Sequence, residues 1–466
     1  MTIDLRPYVQ EGQPKYRAIA NALADAIETL PLAAGTKLPP HRELAEQLNT
    51  SVQTISAAYA HAIQLGVVCS RVGSGTFVSD NSDAKEVKFL DTHVAEDNKR
   101  GIDLSIAHAV NTPEHLDILR GIMLKLSHSA TSELIQACRP IAGLPRHREV
   151  ACEWLRSQKM PCDPDQIALC NGATHGIMLA LSTIVQPGDT VLCEDLADHG
   201  LITLARTLHF KLLGLPLDDK GIIPEALDEA CKGKRVAALC CTPTMNNPTT
   251  DTMDMERRRA IAAVAERHNL LIVEDDVFGA LLPDRLPPLS SLLPEQSFYV
   301  TSLTKTVAAG LRAGYLVMPK HLIHHTLPRL RATTWMATPI LFEMASMMIE
   351  DGTADRLIDW QRQELASRQR MAAEILKGFT FKAHPYGMHI WLELPETWRP
   401  DEVILQARQE GVLIAPAGPY TTGHEYPPHC IRITLGAEED RARVHQGLST
   451  LVAMLKRSPP PMDFVI

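Results

Sequence analysis

The sequence lacks an uninterrupted apolar run of about 18 residues, the length that a membrane-spanning helix requires. Its first ten residues, MTIDLRPYVQ, contain neither a basic start nor an apolar stretch, so no secretory signal is expected. Ten cysteines are too few for a dense disulfide framework in 466 residues, and none form a C-x-x-C pair. We therefore expect a cytoplasmic protein with reduced cysteines.

An excess of positive charge is also missing, since the formal net charge is −9, and this balance gives no general reason to expect nucleic acid. The histidines of HLIHH (321–325) have no acidic or cysteine partner nearby in the sequence, so no metal is expected. An apolar content of 45% and a charged content of 22% are typical of a globular protein. A length of 466 residues exceeds one ordinary core, which predicts two or three domains.

Two parts of the chain differ in character. Residues 1–80 and 104–466 are separated by a polar, charged stretch without a sustained period, which indicates a linker at 81–103. The second part alternates short apolar runs with helical stretches, which favours an α/β fold with a mostly parallel sheet covered on both faces. The expected large domain covers about 145–330, and a smaller part covers about 370–466. The predicted strands are 190–195, 235–243, 270–276 and 298–302, and the predicted helices between them include 174–185 and 255–269.

Chemically distinctive residues follow the predicted strands, where ligands bind in parallel α/β sheets. They are the glycine-containing turn NGATHGI with Ala173 and Thr174, the amide Asn247, the carboxylate Asp275, and the set Ser302, Lys305 and Arg312. Each feature alone is weak, but one cofactor needs the whole set. Pyridoxal 5′-phosphate (PLP) requires a lysine amine for its aldehyde, a carboxylate at its pyridine nitrogen, anion contacts for its phosphate, and a donor to its ring oxygen.

The same segments resemble the fold-type I aminotransferases. S-x-x-K followed by G-L-R-x-G is similar to their cofactor-lysine segment, and N-P-T, D-D-x-F and CIRITLGA resemble three further signatures. The resemblance implies a PLP-dependent transferase fold in which Lys305 forms the Schiff base. It also implies phosphate contacts from Ala173, Thr174, Ser302 and Arg312, a ring-oxygen contact from Asn247, a pyridine-nitrogen contact from Asp275, and a substrate or effector carboxylate site at Arg432.

Three positions depart from the family pattern. Phe278 stands where the family generally has tyrosine, and phenylalanine cannot donate a hydrogen bond to the ring oxygen. Asp198 occupies the tyrosine position of E-D-P-x-Y-P-G, and we expect the adjacent His199 to stack on or contact the ring. Thr250 replaces a usual glycine, so a differently shaped loop is expected. These departures favour PLP binding over efficient transamination. The S-x-x-K of serine β-lactamases is rejected, since SDN precedes SLTK and no K-T-G follows.

The N-terminal part contains a helix, a short NTS turn and a second helix, followed by CSRVGSGTFVSD, which reads as a glycine-rich β-hairpin. This pattern predicts a winged helix-turn-helix. L-P-P-x-R-x-L-A and R-x-G-x-G-T-F-V resemble the GntR family of bacterial repressors, and GntR-type and aminotransferase-like parts in one chain resemble the MocR subfamily. The resemblance implies binding to a double-stranded DNA operator. The candidate DNA-binding residues are Arg42, Gln53, Thr54, Ser56, Arg71, Gly73 and Gly75.

This N-terminal part is not basic, because six lysines and arginines stand against seven acidic residues in residues 1–80. Val52-Gln53 also replaces a usual arginine. By resemblance, the chain is expected to be a head-to-tail homodimer that regulates transcription and senses an amine, an amino acid or a vitamer. Two alternatives stay open: an active aminotransferase with a non-regulatory N-terminal module, and a regulator that senses PLP itself. Whether enzymatic activity is retained is left undecided by the sequence.

Overall fold

The computed structural model describes residues 5, 15–29, 35–64, 67–71, 75–78, 101–232, 235–422, 427–457 and 459. The chain divides into two compact units, the first ending at Lys99 and the second beginning at Arg100. No helix in these described ranges is both long enough and apolar enough to cross a bilayer. All ten cysteines are free thiols.

The first unit has three helices and a two-stranded antiparallel hairpin; the sequence predicts the last two helices and the hairpin, and the first helix is an addition to that prediction. Its apolar helix faces meet in one core that contains Leu44 of the second helix and Ile55, Ala58 and Ala62 of the third, because apolar residues recur at helical spacing along the third helix. The Ser51 side chain accepts a hydrogen bond from the Thr54 amide (3.0 Å), which closes the turn between the second and third helices. The elements are α1 (Lys15–Thr29), α2 (His41–Gln47), α3 (Val52–Gln64), β1 (Val68–Arg71) and β2 (Gly75–Val78).

The second unit is built on a seven-stranded sheet in the order β4-β12-β11-β10-β9-β5-β6. β12 runs antiparallel to both of its neighbours, and the other pairings in the sheet are parallel. Its strands are mainly apolar because helices cover both faces. The strands are β4 (Ile167–Asn171), β5 (Thr190–Glu194), β6 (Lys211–Leu215), β9 (Val236–Cys241), β10 (Leu271–Asp275), β11 (Ser297–Ser302) and β12 (Ala313–Val317).

A smaller five-stranded sheet has the order β13-β14-β16-β15-β3. β3 pairs in parallel with β15, so regular structure begins at Ile102, two residues before the start expected for the second part. A separate two-stranded ribbon joins β7 (Leu217–Asp218) to β8 (Gly221–Ile222). The strands of the smaller sheet are β3 (Ile102–Leu104), β13 (Phe381–Ala383), β14 (His389–Glu393), β15 (Val412–Pro416) and β16 (Cys430–Thr434).

Helices connect and cover the two sheets of the second unit. Several begin at an aspartate that accepts a backbone hydrogen bond from the first turn, for example Asp254 from the Arg257 amide (2.8 Å) and Asp440 from the Ala442 amide (2.8 Å). The helices are α4 (Pro113–Ser129), α5 (Ser132–Gln136), α6 (Pro145–Ser157), α7 (Ala173–Ile184), α8 (His199–Thr207), α9 (Pro224–Ala230), α10 (Met255–Arg267), α11 (Ile323–Thr334), α12 (Pro339–Glu350), α13 (Thr353–Ile375), α14 (Pro400–Gln409) and α15 (Arg441–Leu455).

Candidate functional site

The predicted site residues of the second unit lie at one edge of the large sheet, at the carboxyl ends of its parallel strands. β4 ends at Asn171, β10 ends at Asp275, and β11 ends at Ser302. Because these strands run in the same direction, the residues that follow them lie at the same edge. A cleft there is lined by Thr174, Asp198 and Asp275, among other residues.

The candidate phosphate site lies where β4 turns into α7. Gly172 has φ 85°, a left-handed conformation that favours glycine, and a Cβ there would lie 2.4 Å from Arg312 Nη2. The guanidinium therefore packs directly over the turn that opens α7 at Ala173. The buried Ser302 Oγ has no hydrogen-bond partner within the part of the chain that the structure describes. A buried unpaired hydroxyl, an arginine and a helix N-terminus together suit a phosphate.

Lys305 lies in the turn after β11, and its Nζ donates a hydrogen bond to the Ala107 carbonyl (2.5 Å). Burial lowers the pKa of Lys305 below its usual range, an effect that Asp198 opposes and Arg432 reinforces. A lowered pKa increases the fraction of neutral amine, which is the nucleophilic form that an aldehyde requires.

Asp275 lies in the same buried region, and its Oδ1 accepts a weak hydrogen bond from the Val277 amide (3.3 Å). Burial raises the pKa of Asp275 to about 8, and the nearby Asp198 carboxylate adds to the shift. A carboxyl in this state holds a proton near neutral pH. A pyridine nitrogen placed beside it would therefore find both a proton and a counter-charge.

Asn247 and Arg432 are joined across the site. Arg432 Nη1 donates to Asn247 Oδ1 (2.9 Å), and Arg432 Nη2 donates to the Ser105 carbonyl (2.5 Å). The guanidinium also lies 4.7 Å from the centre of the Tyr420 ring. The Asn247 amide nitrogen donates to Asp198 Oδ2 (2.6 Å). These contacts hold the predicted ring-oxygen donor and the predicted carboxylate arginine in one hydrogen-bonded group.

Phe278 and His199 occupy different surroundings. Phe278 is buried, and its ring, which has no donor, lies 5.8 Å from that of His389. His199 begins α8, and its ring meets that of Tyr420 edge-on at 5.7 Å. Thr250 itself adopts φ 65°, so the loop keeps the left-handed conformation that a glycine would allow.

The predicted DNA-binding residues lie on the helix-turn-helix and the hairpin. Arg42 is exposed on α2, and Gln53 and Ser56 are exposed in the first turns of α3, whereas Thr54 is half-buried. Gly75 opens β2 with φ 112°. Lys37, which sequence reasoning did not select, pairs with Phe77 of the hairpin. Gly73 and the Arg71 side chain lie outside the described residues.

Two family descriptions match this arrangement. Residues 107–451, about three-quarters of the chain, match the model of aminotransferase class I and II. The chain belongs to the aminotransferase class I and II family. Residues 15–78 match the bacterial regulatory proteins of the gntR family. The chain thus joins a gntR-type helix-turn-helix domain to a class I and II aminotransferase domain, the MocR-type organisation that the sequence predicts.

Relatives with the same organisation extend over nearly the whole chain. An uncharacterized HTH-type transcriptional regulator of Bacillus subtilis, YdeF, is 27% identical over 97% of this chain and 96% of its own length. The vitamin B6 salvage pathway transcriptional repressor PtsJ of Salmonella typhimurium is 25% identical over 92% of this chain and 98% of its own. These relatives are transcriptional regulators, and this aminotransferase-family chain likewise carries a gntR-type DNA-binding domain fused to its aminotransferase domain.

The fold has a close structural counterpart. The α-aminoadipate aminotransferase LysN of Thermus thermophilus, solved with N-(5′-phosphopyridoxyl)-L-leucine, superposes with a TM-score of 0.70. It shares 20% identity and covers 80% of this chain and 98% of its own. The fold-type I prediction is confirmed, and PLP is the cofactor of this aminotransferase fold.

Some contacts of this aminotransferase-type site could not be predicted from the sequence. Ser105 and Ala107 contribute backbone carbonyls, for which side-chain identity gives no signal. Tyr420 follows β15 and contacts the guanidinium of Arg432. Aromatic residues near predicted strand ends would have marked Tyr420 as a candidate. His389 is buried beside Phe278 on the first residue of β14, and nothing in its local pattern distinguishes it from a core residue.

Proposed function

We propose that this regulator binds PLP through Lys305 and changes its DNA affinity when an amine, an amino acid or a vitamer binds at the same site. The observation that carries the proposal is the convergence on Lys305 of a pyridine-nitrogen carboxylate (Asp275) and the hydrogen-bonded pair of Asn247 and Arg432. Ser302 and Arg312 complete a phosphate site at the same sheet edge. We expect it to act in the cytoplasm, where operator DNA is present.

DNA affinity measured under three conditions tests the proposal. The purified protein is titrated with the DNA upstream of its own gene in three states: free of cofactor, loaded with PLP, and loaded with PLP plus candidate amines or amino acids. A change on adding amines supports sensing of an amino ligand, and a change on adding PLP alone supports sensing of the cofactor itself. Equal affinity under all three conditions contradicts the proposal, because a ligand shifts a conformational equilibrium only through different affinities for the two states. The name of PtsJ favours including B6 vitamers among the ligands.

An active aminotransferase with a non-regulatory N-terminal module is the second candidate. It is favoured by the presence of Lys305, Asp275 and Arg432, the groups that transamination needs. Phe278 and Asp198 count against it, because two hydroxyl donors of the family pattern are missing. Turnover of an amino donor with a keto acid, together with no sequence-specific DNA binding, would establish this candidate in place of the first.

DNA binding is expected to depend on Arg42 and Gln53 in different ways. Arg42→Ala removes one phosphate contact, so affinity should fall alike for all sequences and the slope of log K against log salt should decrease by about one. Gln53→Ala should reduce the preference for the operator over unrelated DNA, because an amide in the recognition helix reads base edges. Fluorescence anisotropy at several salt concentrations measures both.

Arg17→Ala is the matched control for Arg42→Ala. Arg17 is an exposed arginine of the same unit, carried on α1 outside the helix-turn-helix. Arg17→Ala should leave the DNA affinity and the salt dependence of binding nearly unchanged. An equal loss for Arg17→Ala and Arg42→Ala would show that the effect is general charge loss and would contradict the assignment of Arg42.

An exposed apolar face supports the proposed homodimer. Leu124 on α4 and Ile135 on α5 are 64% and 66% exposed, and Ile340 of the adjacent α12 is 42% exposed. Exposed apolar residues on helices that contact one another favour an interface at this surface. We propose that a second copy of the chain covers this face.

The double substitution Leu124→Glu with Ile135→Glu should therefore convert the dimer to a monomer, since it places charges in the buried core of the interface. Sedimentation analysis measures the change. Leu405→Glu, at a 60% exposed leucine of α14, is the control and should remain dimeric. A wild-type protein that is monomeric at micromolar concentration contradicts the proposed interface.

A further inference from the structure

Asp198 is a charged side chain at a position where the family pattern has tyrosine. Its Oδ1 accepts the Gly200 amide (2.8 Å) and so caps α8, and its Oδ2 accepts the Asn247 amide (2.6 Å). The side chain is 35% exposed and lines the same cleft as Thr174 and Asp275. The carboxylate therefore opens on the ligand site and is not part of the core.

Asn247 connects this carboxylate to the arginine proposed to bind a ligand carboxylate. One end of the Asn247 amide group donates to Asp198, and the other accepts from Arg432 (2.9 Å). The two opposite charges are thus coupled through a single amide. His199 Nδ1 lies 3.8 Å from Asp198 Oδ2 and adds a positive charge only when it is protonated.

Asp198 is ionised in this setting. Burial alone would raise the pKa of Asp198, but the His199 ring and the Gly200 amide outweigh burial, and the pKa is lowered below its usual value. Lys305 and Arg432 act in the same direction. The site therefore contains a fixed negative charge that a tyrosine at this position would not supply.

Charge balance shows what this negative charge does. Asp275 is matched to a pyridine nitrogen, and Arg312 with the start of α7 is matched to a phosphate, which leaves Asp198 as a counter-charge for Arg432, together with Lys305 and the protonated form of His199. A ligand carboxylate that binds Arg432 takes over this role at the guanidinium, and Asp198 then loses one of its positive partners. A ligand that also carries a second cationic group restores the balance, whereas a second carboxylate adds repulsion.

We propose that Asp198 is a specificity-determining residue that selects ligands with a cationic group in addition to the amine that meets Lys305. Basic amino acids belong to this class, and acidic amino acids are excluded from it. The inference rests on the proposed function, since it assumes that the ligand site adjoins PLP bound at Lys305. It adds to that function the chemical class of the ligand.

Isothermal titration of the PLP-loaded protein with four amino acids tests this selectivity. L-Lysine and L-norleucine form one pair of similar shape, and L-glutamate and L-glutamine form the other. We expect lysine to bind on the order of tenfold more tightly than norleucine, and glutamate more weakly than glutamine by a similar factor. Asp198→Asn should bring both ratios close to one. Ratios that are the same in the two proteins, or failure of all four amino acids to bind, would overturn the inference.

Two further variants make the result specific. Asp198→Ser removes the charge but keeps a hydroxyl that caps α8, and it should reproduce the altered ratios if Asp198→Asn folds poorly. Asp189→Asn is the matched control, because Asp189 accepts the Gln186 amide (2.9 Å) just before β5, at the far end of the strand from Asp198. It should leave both ratios unchanged. If the proposed function is wrong, the protein shows no PLP absorbance. If only the role of Asp198 is wrong, the protein binds PLP but the ratios are the same in the wild type and in Asp198→Asn.

Discussion

Replacing Lys305 with alanine is expected to abolish the yellow absorbance of the PLP-loaded protein and to leave the fold intact. The Lys305 amine lies in the turn after β11, and burial keeps its pKa below the usual lysine range, so it is suited to attack an aldehyde. Without this amine, PLP would be held only by contacts to its phosphate and ring and should be lost on gel filtration. The fold should tolerate the change, because the substitution removes a buried amine and one hydrogen bond to Ala107, worth about 1 kcal/mol.

Absorbance spectra, and intact mass after borohydride reduction, measure the loss, and circular dichroism follows the fold. Lys159→Ala is the matched control. Lys159 Nζ also donates to a backbone carbonyl at 2.5 Å, that of Arg285, but outside the site. The control should keep the full absorbance and the covalent mass increase. A Lys305→Ala protein that retains covalently bound PLP would contradict the central proposal, because another amine would then be the point of attachment.

Much of this arrangement was predictable because it follows from the direction of the strands. Asp275 and Ser302 are each the last residue of a largely buried strand, and parallel strands bring such ends to one edge of the sheet. The helix-turn-helix was also predictable from a local pattern, since Ile55, Ala58 and Ala62 recur at helical spacing after a short turn. Local patterns were sufficient for both.

The contacts between distant segments were not predictable in the same way. Ser105 and Ala107 lie more than 190 residues from the arginine and lysine that they contact, and they use backbone carbonyls. The pairing of Asp198 with Asn247 also depends on how α8 begins after β5. The sequence marked Asp198 as a departure from the family pattern. Its role as a counter-charge follows only from the positions of Asn247 and Arg432.

Stability of the cofactor-free protein should fall as the pH rises towards 8, and Asp275→Asn should remove much of this dependence. Burial, with a further contribution from Asp198, raises the pKa of Asp275 to about 8 in the folded protein, whereas an unfolded aspartate titrates near ~3.9. Between these two values the folded state holds a proton that the unfolded state has released. The free energy of unfolding therefore decreases by about 1.4 kcal/mol per pH unit in this window and levels off above the folded pKa.

Urea denaturation at several pH values between about 5 and 9 gives the difference in stability between Asp275→Asn and the wild type. Because asparagine does not titrate, this difference should increase in favour of the variant up to pH ~8. Glu194, whose pKa burial raises to about 7, contributes equally to both proteins and cancels in the difference. Two parallel stability curves would contradict a proton held on Asp275. If the curves diverge as expected, loading with PLP should reduce the divergence, because a protonated pyridine nitrogen then supplies the charge that stabilises the carboxylate. Protonation of Asp275 would thus couple the stability of the cofactor-free protein to the binding of PLP.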